Sequence, residues 1–343
     1  MTERPLWLLS LVRIRLFLRE PSAVFWSFGF PVLMSLALGV AFRNKPPEPA
    51  RVAIQVGPRA EALTRMLATS PDVKASMMSP TEAAGALRSG RISLVVEAGP
   101  TPTYRFDPTR PESRLARLLV DDALQRAEGR RDVMTPADAP VTEPGSRYID
   151  FLIPGLIGMN LMASGMWGIG YSIAETRTKK LLKRMVATPM SRAEFLLSFV
   201  IMRMLFLGLE LPVVLVFAHY AFQVQIQGSL FLLVFLAALG AFAFSGIGVL
   251  VASRSRNTQS VGGLINLVQL PMFVFSGIFF SSANFPQIIQ PFIRVLPLTA
   301  VNDSMRAVMN EGATWSAVTP HILILVVASV LSFGVALKIF RWE

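Results

Sequence analysis

The sequence predicts an α-helical polytopic membrane protein: six transmembrane helices, N and C termini cytoplasmic, with an inserted α/β extracytoplasmic domain. Three observations predict it. Of the 343 residues, 52% are hydrophobic and 16% charged, whereas an average soluble domain carries about 25% charged residues. Six apolar runs reach the roughly 20 residues that an α-helix needs to cross hydrocarbon. A stretch of ordinary soluble composition separates the first run from the other five.

Residues 1–21 read as a cytoplasmic, interfacial amphipathic helix, with Trp7, Leu8, Leu11, Val12 and Leu18 toward lipid and Arg13, Arg15 and Arg19 toward headgroups. Those arginines, with no small-residue cleavage site after them, argue against a signal peptide. Transmembrane helix 1 covers 22–42. Residues 43–148 form the extracytoplasmic α/β domain and its linker. There, RVAIQVG alternates as a strand and ends on Gly-Pro, AEALTRMLATS has helical spacing at Leu63, Met66 and Leu67, and DVKASMM is a second strand. In SPTEAAGALRSG, Ser79 or Thr81 starts a helix and Gly90 stops it. RISLVVEAG is a strong strand, TYRFDP a shorter one, PESRLARLLVDDALQRAEG a long amphipathic helix, and MTPADAPVTEPG a proline-rich linker. About 100 residues suffice for an independently folding domain.

Residues 149–343 carry the remaining spans, at 149–173, 195–217, 230–252, 260–280 and 320–340, with a cytoplasmic loop at 174–194 and an outer region at 281–319. Orientation follows from the cations. Arg4, Arg13, Arg15 and Arg19 precede the first span; Arg177, Lys179, Lys180, Lys183, Arg184 and Arg192 separate the second and third; Arg254 and Arg256 follow the fourth, and Arg341 the sixth. With six spans all of these fall on one side, the cytoplasmic one, and the insertion faces outward. The formal charge of +11 is therefore a matter of sidedness and membrane lipid, and no nucleic-acid partner is expected.

Several chemistries are excluded. There is no cysteine, and His219 and His321 are too few for a histidine metal site. No G-x-x-x-x-G-K-[ST], H-E-x-x-H or G-x-S-x-G motif occurs, so no catalytic residue, metal or bound cofactor is expected on this chain. Gly165, Gly168 and Gly170 lie in a span, where they suit close helix contact.

KKLLKRMVATPMSRAEFLLS, 179–198, is the most informative stretch. Leu181, Leu182, Met185 and Val186 recur at helical spacing among Lys179, Lys180, Lys183 and Arg184, predicting a short amphipathic helix over 179–188. Pro189 ends or turns it, and Ser191 caps the next helix with Glu194 three residues on. The residues fit either an anchor on anionic lipid or a rigid lever between a cytosolic partner and the membrane.

ETRTKKLLKRMVATPMSRAEFLLS resembles the cytoplasmic loop of ABC-2 type transporter permeases: Glu175, Leu182, Met185, Ala187, Thr188, Pro189, Ser191 and Arg192 fit that pattern, while Lys180 and Leu181 replace its Gly-Thr. FSGIFFSSANFPQIIQPFIRVLPLTAVNDSMRAVM, 275–309, looks like the outer re-entrant region of the family, and the insertion looks like its subclass with a large extracytoplasmic domain. The resemblance implies a permease subunit of an exporter in the bacterial inner membrane. It would pair with a second copy or a close paralogue and dock cytoplasmic ATPase subunits that bind ATP and Mg; a periplasmic adaptor is a further partner it allows. ATPase coupling would fall on Glu175, Lys179, Lys180, Leu182, Lys183, Met185, Thr188, Pro189 and Ser191.

Arg203 and Glu210 lie seven apart, on one face of the third span. Each charge near the bilayer centre costs about 2.5–3.5 kcal/mol on insertion scales. Either Glu210 lines a translocation path or is paired across a dimer, with Arg203 nearer the cytoplasmic entrance, or the two form an internal ion pair that fixes helix packing while Arg203 snorkels to the headgroups. Asn266 and Gln269 either hydrogen-bond to neighbouring helices or touch substrate. Met159, Met162 and Met166 form a packing stripe, and Phe279, Phe280, Phe285, Phe292 and Trp315 an aromatic belt. Two other functions compete: a membrane-anchored sensor or scaffold whose outer domain binds a ligand, and a secondary transporter. The first lacks a cytoplasmic effector segment, the second clear repeats and membrane carboxylates beyond Glu210.

Overall fold

The computed structural model describes residues 18–41, 48–99, 101–131, 145–181, 192–255 and 257–340, with single positions at 12, 14, 15, 134 and 137. Most of the 1–21 helix lies outside the described residues, as do Leu182, Lys183, Met185, Thr188, Pro189 and Ser191. The chain divides into two compact units, Asn44–Pro140 and the flanking Met1–Arg43 with Val141–Glu343. The flanking unit opens with α1 (Pro21–Val24), a π-helical turn (Phe25–Gly29) and α2 (Phe30–Ala41). Pro21 takes the first helical position, where its missing N–H costs nothing, after an extended Glu20.

In the inserted unit, β1 (Ala50–Gln55), α3 (Ala60–Leu67), β2 (Val73–Met78), α4 (Pro80–Arg88), β3 (Leu94–Glu97), β4 (Thr103–Arg105) and α5 (Pro111–Ala127) follow in order. The sheet runs β2-β1-β3-β4, with β1 parallel to both neighbours and β4 antiparallel to β3. The two-residue pleat sorts the core. Val52, Ile54, Leu94 and Val96 meet α3 and α5 on one face, while Ala53 and Val95 meet Ala83 and Ala86 of α4 on the other. Covered on both faces, β1 is apolar at consecutive positions, as parallel strands are. Ser79 caps α4: its Oγ accepts from the Glu82 N–H at 3.3 Å, and Glu82 Oε2 accepts from the Ser79 N–H at 3.0 Å. The Tyr104 hydroxyl donates to Asp121 at 3.1 Å; burial first, and then that bond, push its pKa up to about 12.

The flanking unit resumes with α6 (Tyr148–Ala163), a second π-helical turn (Ser164–Gly168) and α7 (Ile169–Thr178), one continuous rod. Then come α8 (Arg192–Phe222), α9 (Leu230–Ala252), α10 (Thr258–Phe275), α11 (Gln290–Val295), α12 (Pro297–Glu311) and α13 (Trp315–Ile339). Among the described residues five helices are long and apolar enough to cross a membrane, and Phe25–Ala41 is a shorter apolar helix. Two boundaries correct the sequence reading. The span read as 260–280 stops at Phe275, because Gly277 turns to φ +69 and breaks the helical path. The span read as 320–340 begins at Trp315, so Pro320 lies inside the helix instead of opening it. The rod from Tyr148 to Thr178 is central, with 78% of its apolar window buried, while α10 and α13 are peripheral at 17% and 22%. Met159, Met162 and Met166 are packing residues, all buried. Gly165 allows the rod to meet α9: a Cβ there would stand 2.7 Å from the Phe244 Cβ, and one on Gly248 2.7 Å from the Gly165 carbonyl. Gly168 has open space instead.

Candidate functional site

The rod ends where the cationic loop begins. Lys179 is its C-cap and Lys180 adopts φ +57, so both belong to a turn and not to the amphipathic helix expected over 179–188. Left-handed backbone at Lys180 terminates the helical ladder of α7. Lys179 pairs with Glu175 at 2.8 Å, and that hydrogen bond holds its ammonium above the ordinary value.

One turn earlier stands a residue that sequence reasoning counted only as a cytoplasmic cation. Arg177 is buried and donates to carbonyls at the end of α9: Nη1 to Ala252 at 2.9 Å and to Ser255, Nη2 to Ser253 at 3.2 Å. A guanidinium at a helix C-terminus satisfies orphaned carbonyls and meets the negative end of the dipole. Its carbon also sits 5.5 Å from the Phe340 ring centroid at the end of α13, and Phe340 lies 6.4 Å from Phe195 at the start of α8. Four helix ends therefore converge beside the loop.

At the opposite ends of these helices lies a second polar network, joined by α12 of the 281–319 region. Arg147 Nη1 donates to the Phe222 carbonyl at 2.9 Å, and Asp150 accepts from Arg147 Nε at 2.9 Å and from the Gly145 N–H at 2.9 Å. Arg306 of α12 donates from Nε to Phe151 at 3.1 Å, from Nη2 to Gly277 and from Nη1 to Asp303 at 3.5 Å, and stacks 3.7 Å over the Phe151 ring. The amphipathic spacing of 297–311 carried a signal for α12; two partners of Arg306 were invisible because they are backbone carbonyls, whereas Asp303 lies three residues before it on the same helix.

Between α1–α2, the rod and α8 lies a half-open cavity of about 1080 Å³. Arg203 and Glu210 both line it, each 3% exposed, joined by an Nη1–Oε2 bond of 2.7 Å. The pair is thus internal to α8. Both charged ends are buried, and Glu210 Oε2 accepts from Arg203. Among the described residues no acceptor meets Arg203 Nε or Nη2. Trp167, also on the cavity wall, donates from Nε1 to Gln269 Oε1 at 2.8 Å, the helix-to-helix bond expected of Gln269. Asn266 is exposed on α10 and does not join this group. No cluster of His, Asp and Glu among the described residues is arranged to hold a metal.

The family described as ABC-2 family transporter protein matches residues 21–338. The chain is similar along nearly its whole length to the probable multidrug ABC transporter permease YbhS of Escherichia coli, 22% identical over 349 residues, 93% of this chain and 92% of that protein. It is 31% identical over 118 residues to the inner membrane transport permease YhhJ of Escherichia coli, covering 34% of this chain and 32% of that one. Over 190 residues it is 25% identical to ABC transporter G family member 20 of Dictyostelium discoideum, 55% of this chain but 26% of the relative. The chain thus spans about a quarter to a third of two of these relatives and nearly all of the other.

Proposed function

The chain belongs to the ABC-2 transporter family, and we propose that it is the permease subunit of an ATP-driven exporter of the bacterial inner membrane. A separate cytoplasmic ATPase subunit would hold ATP and Mg. The observation that carries this reading is the convergence of helix ends at the loop. Through Arg177, a push delivered to the end of α7 would reach α9 and α13, as a rigid-body switch requires. The short helical stretch Pro21–Ala41 would supply the sixth span, with both termini inside and the α/β unit outside, the arrangement of the subclass with a large extracytoplasmic domain.

Pairing of two permease copies would use α10. Few residues of that helix are buried and it exposes Asn266, and a polar side chain at membrane depth favours a helix partner over lipid. The other peripheral helix, α13, exposes Leu323, Val327, Val330 and Leu331, a face suited to lipid. Arg203 and Glu210 would border the substrate path, with Gln269 fixing its wall. The test is affinity purification of the tagged chain in mild detergent. An ATP-hydrolysing protein is expected to accompany it, and Leu182→Asp with Met185→Asp is expected to release that protein while the permease dimer survives. Retention of the ATPase by this variant would return the loop to a lipid anchor.

A further inference from the structure

We propose that β2 is a docking edge for the same strand of a second copy, so that the sheets of two inserted units join into one. The sheet ends in two unlike strands. β4 has three residues and is tied by an ion pair, Arg105 with Glu97 at 3.2 Å; short, charged edges are how sheets avoid added strands. β2 has six residues, Val73–Met78, with Lys74 as their single charge and no proline. Its inner side is used by β1. The Ala50 N–H donates to the Asp72 carbonyl at 2.8 Å and the Val56 N–H to the Met78 carbonyl at 3.1 Å, and in a parallel ladder of that phase every bond to β1 falls on the even residues of β2. The odd residues therefore turn N–H and carbonyl away from the sheet. Val73 is buried, but Ala75 is half-buried and Met77 is 52% exposed, and among the described residues no hydrogen bond meets their outer N–H and carbonyl.

The edge fits itself. With antiparallel strands related by a two-fold axis at Ser76, Ala75 of each copy faces Met77 of the other and exchanges both ladder bonds with it. Ser76 then meets Ser76, a favourable cross-strand pair, and Lys74 meets Met78, which leaves the two lysines about 14 Å apart, four residues at roughly 3.4 Å each. An axis at Ala75 would need the outer groups of buried Val73, and one at Lys74 would oppose like charges. Met77 would lie over Ala75 of the second copy, on the face where Val73 and Ala75 join the core under α3 and α5. A contact between two such strands buries far less than the ~1,200 Å² of a stable interface, so it does not hold a freely diffusing partner. It suits a strand already brought close, and a copy held in the same membrane by α10 supplies one at an effective concentration on the order of millimolar; the inference rests on that pairing. Two copies paired in one membrane share a two-fold axis, the symmetry that an antiparallel strand pair has and a parallel one lacks.

The chain has no cysteine, so single cysteines placed in the full protein and oxidised in membranes report the pairing, with disulfide-linked dimer on a non-reducing gel as the readout. Ser76→Cys should link to itself, its Cα atoms lying about 4.5 Å apart in a non-hydrogen-bonded pair, within the reach of a disulfide. Lys74→Cys should link at least about tenfold less, being far beyond that reach. Ala75→Cys co-expressed with a differently tagged Met77→Cys should join the two tags. Met77→Pro removes a donor that faces away from β1, so the internal ladder keeps its bonds; added to Ser76→Cys it should cut linkage roughly tenfold or more, the loss of one outer hydrogen bond per copy. Equal linkage by Lys74→Cys and Ser76→Cys, linkage unaffected by Met77→Pro, or Ser76→Cys joined to some other protein would overturn the proposal. A chain that runs as a dimer in dodecyl maltoside yet links at none of these sites overturns it and leaves the α10 pairing in place; a chain that runs as a monomer and links nowhere overturns both.

Discussion

Arg306 on α12 and Arg203 on α8 are both deeply buried, at 9% and 3% exposure, and both border cavities, of about 500 and 1080 Å³. Yet each guanidinium nitrogen of Arg306 has an acceptor, two of them backbone carbonyls, whereas Arg203 uses one nitrogen on one carboxylate oxygen. A buried cation whose donors all close on the fold is a fastener. One held by a single bond, with two buried donors left unmet, adds little to the fold for the burial it costs. Burial and charge alone do not separate the two roles; the hydrogen-bond inventory does.

The largest expected effect tests the fastener. Arg306→Met leaves the carbonyls of Phe151 and Gly277 without this donor and Asp303 without its pair, at about 1–3 kcal/mol for each buried group. Thermal unfolding in detergent should show a loss of about 3 kcal/mol or more; a loss below about 1 kcal/mol would erase the contrast with Arg203. A smaller effect is expected one turn away. A Cβ on Gly158 would overlap Asn302 Oδ1, and the Asn302 amide also donates to the Ser276 carbonyl at 2.8 Å. Gly158→Ala should therefore cost about 1–3 kcal/mol by overpacking. Combined with Asn302→Ala, it should cost less than the two single losses summed, since both act at one contact. Full additivity would mean that this corner is looser than its geometry.

What was legible in the sequence follows the same division. Features set by local pattern were readable: the strand and helix order of 50–127, the Ser79 cap with Gly90 as stop, the five long apolar helices, and the packing of Gly165 and Met162. Helix ends were less so. The stop at Phe275 depends on a positive φ at Gly277, and the start at Trp315 places Pro320 where propensity alone would not. The i, i+7 spacing of Arg203 and Glu210 predicted one face, and the structure joins them, but no local rule reveals which guanidinium nitrogens go without an acceptor. The roles of Arg177 and Arg306 do not show in the sequence because, apart from Asp303, their acceptors are distant carbonyls, among them Ala252 75 residues from Arg177 and Phe151 155 residues from Arg306, and a carbonyl carries no residue-type signature.

The smallest expected effect on stability is also the sharpest test of the contrast. Replacing a buried ion pair by apolar side chains of similar volume is often neutral, or stabilising by about 1–4 kcal/mol, because the desolvation of both charges outweighs a single bond between them. Arg203→Met with Glu210→Leu should accordingly leave the unfolding midpoint unchanged or raised, even though Arg306→Met lowers it sharply. Both changes must be made together, since either alone strands a charge. If the double variant instead falls as far as Arg306→Met, the pair is holding α8 against its neighbours, and the contrast between the two arginines fails.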